Sequence, residues 1–399
     1  MKLLLLLQAA SPATVDPLAG TWQAALDLAG GALPFEVTIS HSDAGWRGEL
    51  SNLPQSWRAF SAVRVTGDTV VLEMDDYDAT ITATLQGDSL RGYYHNVGSN
   101  GPRTIPFRAA KGARHRARGP RALLGRWDVT YFQEGGTSPR VFEFRNGQRG
   151  FEGTIISSTA DYGPFMGEVR ADSFAIGLFD GSFVYLLTGK LKGDTLRGTF
   201  HAGLRSQTQW EAIRSSGKRH LRSPAEITQA DTTEPLRFAF PDLQGQMVRH
   251  DDPRFKGKVV LLEVFGTWCP TCHDATPELL RLYRRYHSRG LEVVGLAFEA
   301  TGDTAVDARQ VRRYRDKFRI PFPLLLAGTS DTESMADALP QLQELTAFPT
   351  TIFLGRDGRV RRVHAGFHGL ATGPQHRQMV RDFEREIEKL LREGGNSER

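Results

Sequence analysis

The chain has 399 residues, of which 40% are hydrophobic and 24% charged, so it can form two or three domains with sizeable cores. Its 50 basic and 46 acidic residues give a formal charge of +4, which is too small for this length to indicate nucleic-acid binding. Because only two cysteines are present, structural disulfides other than a bond between those two are excluded.

Residues 1–17 are predicted to be a signal peptide and leader. Lys2 precedes five leucines, and small residues follow before Pro12. This apolar run is far too short to span a bilayer, and no other segment has the character of a transmembrane span. We expect export to the periplasm or cell envelope; if the short signal does not function, the alternative is a cytoplasmic location.

Residues 18–112 and 123–217 are predicted to be two copies of one β module. The Leu-x-Gly-x-Trp motif that ends at Trp22 returns at Trp127, and the Gly-Asp-x-Leu-Arg-Gly motif of Gly87 returns at Gly193. In each copy, alternating apolar and polar residues between Gly-rich turns predict about eight short strands, as in an all-β barrel or sandwich. The opening Gly-x-Trp resembles that of lipocalin-like barrels, with a generic antiparallel barrel or sandwich as the alternative.

We assign no binding role to the polar segments of this first half. The acidic run at 75–78 lacks the glycine and distal glutamate of a calcium loop, and we interpret it as a solvated turn. The linkers at 113–122 and 218–235 are basic but carry no interleaved aromatic residues. They are therefore interpreted as solvated linkers, and no nucleic-acid partner is expected.

Residues 236–393 alternate strand and helix patterns, which predicts an α/β domain. The nearly continuous apolar run at 258–265 is typical of a central strand that is buried on both faces. Helices are expected from Cys272 to Gly290, at 304–318 and at 374–392. Further strands are expected at 291–298, 321–326, 350–354 and 359–363.

Cys269 and Cys272 lie between the apolar strand and the first of these helices. A helix N-terminus favours a thiolate, and a Cys-x-x-Cys turn can close and open a small disulfide. Zinc is the rival use of this spacing, but a structural zinc site needs four ligands, usually from two such pairs, and no second pair is present. The pattern predicts a redox-active disulfide with no metal and no other cofactor.

The domain at 236–393 resembles the TlpA-like and ResA-like thioredoxin-fold thiol–disulfide oxidoreductases. The resemblance is carried by Phe-x-Asp-Leu-x-Gly at 240–245, Gly-Thr-Trp-Cys-Pro-x-Cys at 266–272 and Phe-Pro-Thr-Thr at 348–351. It implies that Pro349 is cis and faces the cysteines. It also implies that Cys269, the more exposed cysteine, attacks the substrate, and that Cys272 resolves the mixed disulfide.

Further site residues follow from the same resemblance. Glu263 matches the buried carboxylate of thioredoxin, which implies that it accepts the proton of Cys272; the alternative is a glutamate that points outward from an edge strand. Substrate contacts are implied for Trp268, Pro270, Thr271, Phe348 and Thr350. Ala275 stands where ResA-like proteins often carry a glutamate, so the sequence departs from the ResA pattern at this position.

We therefore predict a multidomain protein, with duplicated all-β modules followed by an α/β thioredoxin-fold domain. The expected activity is the reduction of disulfides in exported proteins, with a membrane thiol donor as a further partner. One alternative is a thiol peroxidase, although Gly266 stands where a peroxidatic site needs threonine. The other alternative is an envelope binding protein with a regulatory redox domain.

Overall fold

The computed structural model describes residues 16–51, 58–98, 101–112, 117–148, 150–218 and 220–393. Residues 1–15 of the predicted signal peptide and leader lie outside the described residues. So do residues 113–116 of the first linker and residue 219 of the second. Within the described part of the chain, no helix is long and apolar enough to cross a membrane.

The first β unit is an eight-stranded antiparallel sheet. Its strands are β1 (Gly20–Leu28), β2 (Gly31–Ser42), β3 (Gly45–Leu50), β4 (Ala62–Thr66), β5 (Thr69–Met74), β6 (Ala79–Gln86), β7 (Ser89–Gly98) and β8 (Gly101–Lys111). The order β3-β2-β1-β8-β7-β6-β5-β4 places sequence neighbours side by side. Among the described residues, a bridge between Glu49 and Ala59 brings the two sheet edges together, so the sheet is nearly closed.

Strand β2 shows why the sequence pattern predicts this unit well. Leu33, Phe35, Val37 and Ile39 are buried, and the residues between them are partly exposed. Side chains of a strand alternate between its two faces, so this spacing buries one face in the core of the unit.

The second β unit is a closed barrel of eight antiparallel strands. They are β9 (Gly125–Gln133), β10 (Gly136–Gly147), β11 (Gly150–Ile156), β12 (Phe165–Arg170), β13 (Ser173–Phe179), β14 (Val184–Lys192), β15 (Thr195–Ala202) and β16 (Ser206–Arg214). Strand β9 pairs with both β10 and β16, which closes the barrel. A barrel has no free sheet edge, so all of its strands are paired on both sides.

The repeated tryptophan motif has the same local structure in both units. The indole N–H of Trp22 donates to the carbonyl of Leu18 at 2.8 Å, and that of Trp127 donates to the carbonyl of Leu123 at 3.0 Å. Both rings are buried. The matching strand order and tryptophan geometry agree with a duplication, which itself stays a prediction.

The two β units pack directly against each other. The rings of Phe35 and Phe179 lie 4.5 Å apart, and Leu33 lies against Gly177. Phe179, together with Val184 of β14, belongs to the same apolar cluster as the core of the first unit. The units therefore share buried apolar surface.

The C-terminal domain is built on a five-stranded mixed sheet. Its strands are β20 (Val259–Phe265), β21 (Leu291–Glu299), β22 (Leu324–Thr329), β24 (Thr350–Leu354) and β25 (Val360–Ala365), in the order β22-β21-β20-β24-β25. Two small sheets pair β17 (Gln229–Ala230) with β23 (Leu342–Gln343) and β18 (Ala239–Pro241) with β19 (Met247–Arg249). Every residue of β20 is buried, as predicted for a central strand.

The helices of this domain are α1 (Pro270–Tyr286), α2 (Thr304–Phe318), α3 (Thr332–Ala338) and α4 (Pro374–Glu393). Of these, α1, α2 and α4 lie close to the helices expected from Cys272 to Gly290, at 304–318 and at 374–392. Single 3₁₀ turns occur at Asp75–Tyr77, Pro224–Glu226, His287–Arg289 and Leu370–Thr372. Gly290 follows the 3₁₀ turn at His287–Arg289 with a φ of 101°, a left-handed conformation that glycine adopts without strain.

Candidate active site

Cys269 and Cys272 lie at the N-terminus of α1, directly after the central strand β20. Cys269 caps the helix, and its sulfur accepts the backbone N–H of Cys272 at 3.4 Å. Both cysteines are free thiols. The unpaired N–H groups and the dipole of a helix N-terminus stabilise negative charge on a sulfur. The arrangement can therefore hold a nucleophilic sulfur next to a second thiol.

Both cysteines are buried, and Cys269, expected to be the more exposed of the two, differs little from Cys272. Cys269 is 3% exposed and Cys272 1% exposed. Both belong to the apolar core of the C-terminal domain, and the second barrel contacts the chain at the start of α1. The hydroxyl of Ser182, between β13 and β14, donates to the carbonyl oxygen of Trp268 at 3.2 Å.

Pro349 lies beside the cysteines and follows a cis peptide bond, as the sequence predicts. The sulfur of Cys269 lies 3.7 Å from the carbonyl oxygen of Phe348. The rings of Trp268 and Phe348 meet edge to face, with centroids 4.9 Å apart. The indole N–H of Trp268 donates to the carbonyl of Phe298 at 3.0 Å, which holds the ring in place.

The other three predicted substrate contacts have different surroundings. Thr350 is fully buried and donates its hydroxyl to the carbonyl of Ala347 at 2.8 Å, so its side chain holds the turn before β24. Pro270 and Thr271 line a small cavity of about 210 Å³ between α1 and the second barrel. Thr271 also borders a larger cleft next to Cys269.

Glu263 is buried in the middle of β20, so the alternative of an outward-facing glutamate on an edge strand is wrong. The Thr351 hydroxyl donates to its carboxyl at 2.7 Å. Burial raises the pKa of Glu263 to about 8 despite that hydrogen bond, because the charged form loses its hydration. The pKa of Cys272 is raised well above its ordinary value by burial first, and then by Cys269 and Glu263.

Glu299 is a second buried carboxyl near the cysteines, and sequence reasoning missed it. Its two oxygens accept the backbone N–H and the hydroxyl of Thr267, at 2.9 and 2.7 Å. Burial raises its pKa to about 7. Glu299 ends a largely apolar strand, as Glu263 interrupts one, and that shared pattern was the available signal.

His273 follows Cys272 and is also buried. Its Nε2 lies 2.8 Å from the carbonyl of Thr267, so this nitrogen carries the proton that the hydrogen bond needs. Burial lowers the pKa of His273 to about 3, although the nearby Asp76 opposes the shift. The imidazole is therefore neutral at physiological pH.

The acidic run at 75–78 contacts the C-terminal domain, so its interpretation as a solvated turn is wrong for Asp76 and Tyr77. Asp76 lies 2.6 Å from the ammonium of Lys317 and 3.4 Å from Nδ1 of His273. Burial acts to raise the pKa of Asp76, but the interactions with His273 and with the Lys317 ammonium, which donates a hydrogen bond to the carboxylate, outweigh it and hold the pKa below the ordinary value. Tyr77 packs against the ring of His273 at 4.6 Å.

Arg58 joins all three folded units. Its guanidinium lies 3.0 Å from the hydroxyl of Tyr77, 3.8 Å from the carboxylate of Asp180 and 3.4 Å from that of Asp274. These residues come from the first β unit, the second barrel and α1. Burial raises the pKa of Asp274 to about 6 despite the arginine. This charged junction fixes the two β units over the face of the domain that carries the cysteines.

A cleft of about 480 Å³ separates the second barrel from Cys269. We call it the barrel–cysteine cleft, and it is lined by Ser138, Pro139, Arg140, Ser157, Ser158, Thr159, Ala160, Tyr162, Phe183, Tyr185, Arg222, Ile227, Trp268, Cys269, Thr271, Thr346 and Phe348. These residues come from the barrel, the second linker and the C-terminal domain. Among the described residues, no group of three or more histidine, cysteine or acidic side chains could hold a metal ion.

A model of the redoxin family matches residues 229–375 of this chain. The chain is also similar to the thiol–disulfide oxidoreductase ResA of Halalkalibacterium halodurans, with 27% identity over 152 residues, 37% of this chain and 72% of that protein. ResA of Bacillus thuringiensis is 28% identical over 127 residues, 32% of this chain and 65% of its own length. The chain thus spans about two thirds of the length of these relatives.

Solved structures with similarity to this chain include a thiol:disulfide interchange protein of the thioredoxin family from Chlorobium tepidum. It is 22% identical, with a TM-score of 0.31, and the match covers 41% of this chain and 99% of that one. A thiol–disulfide oxidoreductase from Bacteroides fragilis is 19% identical, with a TM-score of 0.28, and the match covers 37% and 99%.

Proposed function

Since its C-terminal domain is a redoxin domain of thioredoxin fold, related to the ResA oxidoreductases, we propose that this chain reduces protein disulfides by exchange at Cys269 and Cys272. The observation that carries the proposal is the position of Cys269. Its sulfur caps α1 and lies next to the Phe348 carbonyl and Pro349, with the Cys272 thiol beside it. A substrate disulfide that reaches this sulfur meets a nucleophile and a resolving thiol together.

The exchange takes place in two displacements. The thiolate of Cys269 attacks one sulfur of the substrate disulfide, and the other substrate sulfur leaves as a thiolate that takes up a proton. Cys272 then attacks the Cys269 sulfur and releases the second substrate thiol. The substrate gains two electrons and two protons, and the cysteine pair becomes a disulfide. A dithiol donor of the membrane restores the reduced pair.

Glu263 accepts the proton of Cys272 in the second displacement. Burial raises the pKa of Cys272, so this thiol needs a base before it can attack. Glu263, with its pKa raised to about 8, is a base of suitable strength near neutral pH. Thr351, which donates to its carboxyl at 2.7 Å, orients it.

The substrates are exported proteins, and the protein acts in the periplasm or cell envelope. The N-terminal sequence of Lys2, five leucines and small residues supports this location. The β units support a role in substrate choice, because the second barrel forms one wall of the barrel–cysteine cleft.

Trapping of mixed disulfides tests the proposed function. The full-length Cys272→Ala variant, reduced and mixed with a protein that holds one accessible disulfide, should form a covalent complex through Cys269. The matched Cys269→Ala variant should form none, and both should retain the native circular dichroism spectrum. If Cys272→Ala yields no complex with disulfides that the wild-type protein reduces, or if the wild-type protein reduces none, the proposed function is wrong.

A further inference from the structure

The barrel–cysteine cleft controls what can reach Cys269. Because this residue is 3% exposed, the flat surface of a folded protein cannot contact its sulfur while the barrel is docked. A narrow segment must enter the cleft instead. The cleft volume of about 480 Å³ lies within the range of about 300–1,000 Å³ that is typical of pockets for small ligands.

The charge of the cleft lining is positive. Its lining residues include two arginines and no aspartate or glutamate. Arg222 has a carboxylate neighbour, Glu344, at 3.5 Å. Arg140 has no carboxylate within ion-pair distance in the described part of the chain, so its charge is left for a ligand.

Arg140 is held in position by neutral groups. Its guanidinium donates to the hydroxyl of Ser138 at 2.6 Å, to the carbonyl of Pro139 at 2.7 Å and to the hydroxyl of Tyr162 at 3.3 Å. It also lies over the ring of Tyr131, 5.3 Å from the centroid. These contacts order the side chain without neutralising it. A half-buried, pre-oriented guanidinium is well suited to bind a carboxylate.

The remaining walls suit the body of a peptide. The aromatic side chains of Tyr162, Phe183 and Tyr185 on the barrel face Trp268 and Phe348 across the cleft. The rings of Phe183 and Tyr185 stack with centroids 4.6 Å apart. Aromatic surfaces bind extended chains through their faces and edges, and hydroxyl groups among them offer hydrogen bonds.

We propose that the barrel–cysteine cleft selects an extended peptide segment that carries a disulfide-bonded cysteine with an acidic residue next to it, bound through Arg140. This inference rests on the proposed function, since the reaction at Cys269 is the exchange described above. The second barrel is then the part of the molecule that chooses the substrate. The segment is either a free peptide or an exposed loop of a protein, since both present the same chemistry.

The test compares disulfide-linked dimers of two short peptides, one with glutamates flanking its cysteine and one with glutamines. For wild-type protein, kcat/KM is expected to be about fivefold higher for the acidic dimer, the factor that corresponds to about 1 kcal/mol. Arg140→Gln should remove this preference, so that the ratio of the two kcat/KM values falls to about one, whereas Arg140→Lys should keep part of it. A folded carrier protein with the acidic sequence and its disulfide in an exposed loop is reduced in the same assay. Its kcat/KM, compared with that of the free peptide, shows which of the two substrates the cleft prefers.

Arg170→Gln is the matched control, because Arg170 lies at the opposite end of the same barrel with its side chain 84% exposed. This variant should keep the full preference for the acidic peptide. Equal wild-type kcat/KM values for the two peptides would overturn the proposal. So would an Arg140→Gln variant in which kcat/KM falls by the same factor for both peptides. Reduction of the glutamine peptide by the wild-type protein would still show disulfide exchange, so the two proposals can fail separately.

Discussion

The hydroxyl of Ser182 on the second barrel donates a hydrogen bond to the carbonyl of Trp268, the residue immediately before Cys269. This contact joins residues that lie 86 positions apart in the chain. It places a residue of the second barrel directly against the backbone that precedes Cys269. Local opening of the barrel would expose the sulfur, and the strength of the docking contacts sets how often this happens.

Loss of the Ser182 hydrogen bond should increase the access of reagents to Cys269. In a Cys272→Ala background, Ser182→Ala is expected to speed alkylation of Cys269 by iodoacetamide about fivefold, because a hydrogen bond contributes about 1 kcal/mol. Ser173→Ala is the control, since the Ser173 hydroxyl donates only to Arg170 within a turn at the far end of the barrel. Identical alkylation rates in the two variants would show that Ser182 does not hold the barrel closed.

A methyl group at Gly366 should separate the barrel from the C-terminal domain. A Cβ at this position would overlap the carbonyl oxygen of Thr159, which also accepts the Phe367 N–H at 2.8 Å. We expect Gly366→Ala to speed Cys269 alkylation by roughly tenfold or more, since backbone atoms cannot give way without a shift of the barrel.

Gly193→Ala is the matched control for this steric change. Gly193 also has a positive φ, but a Cβ there would meet no atom within 4 Å. The control therefore includes the backbone strain of about 1–2 kcal/mol without the overlap. If both variants alkylate at the wild-type rate, the close approach at Thr159 does not hold the barrel in place.

Resolution of the mixed disulfide should depend on the ionisation of Glu263. With its pKa raised to about 8, the carboxyl is mostly protonated at pH 7 and becomes a base as the pH rises. Stopped-flow release of the substrate thiol should therefore accelerate with pH through an inflection near 8, and Glu263→Gln should remove that inflection. Thr351→Val should move it upward, because the Thr351 hydrogen bond opposes the effect of burial. A wild-type inflection that survives in Glu263→Gln would assign it to another group.

The same glutamate should make the protein less stable in alkaline solution. Its pKa is raised on folding, so its contribution to stability is fully present below the ordinary value of 4.5 and is lost as the pH rises through about 8. Glu263→Gln has no charge to bury and should be more stable than wild type above pH 8, by a few kcal/mol at most. Urea unfolding at pH 5 and pH 9 measures this; an equal difference at both values would contradict it.

The ion pair between Asp76 and Lys317 should contribute to the docking of the first β unit. Lys317→Met leaves the buried carboxylate of Asp76 beside a neutral His273, and we expect it to lower the free energy of unfolding by roughly 3 kcal/mol at pH 7. The loss should shrink in acid, because the pKa of Asp76 is lowered on folding and its contribution disappears as the carboxylate protonates. Arg313→Gln, an exposed neighbour on α2, should cost little; equal losses in the two variants would argue against a specific pair.

Sequence patterns predicted the C-terminal domain well because its signals are local. The apolar run before the cysteines is β20, and the helices at 304–318 and 374–392 are α2 and α4. Burial of Glu263 was implied by the resemblance to thioredoxin, and the central position of β20 agrees with it, since a central strand has no outward face. Thr350 was placed in the substrate site although its hydroxyl holds a turn, because a motif identifies neighbours in sequence and not the direction of a side chain.

The sequence by itself determined the cysteine pair, the strand and helix that position it, and two β units with about eight strands each. These follow from spacing and alternation, which act between residues a few positions apart. Only the tertiary structure decided that the barrel lies across a cleft from Cys269, that Arg140 lines this cleft and that Asp76 pairs with Lys317 from 241 positions away. Packing between domains joins single residues that share no period, so these contacts leave no pattern in the chain.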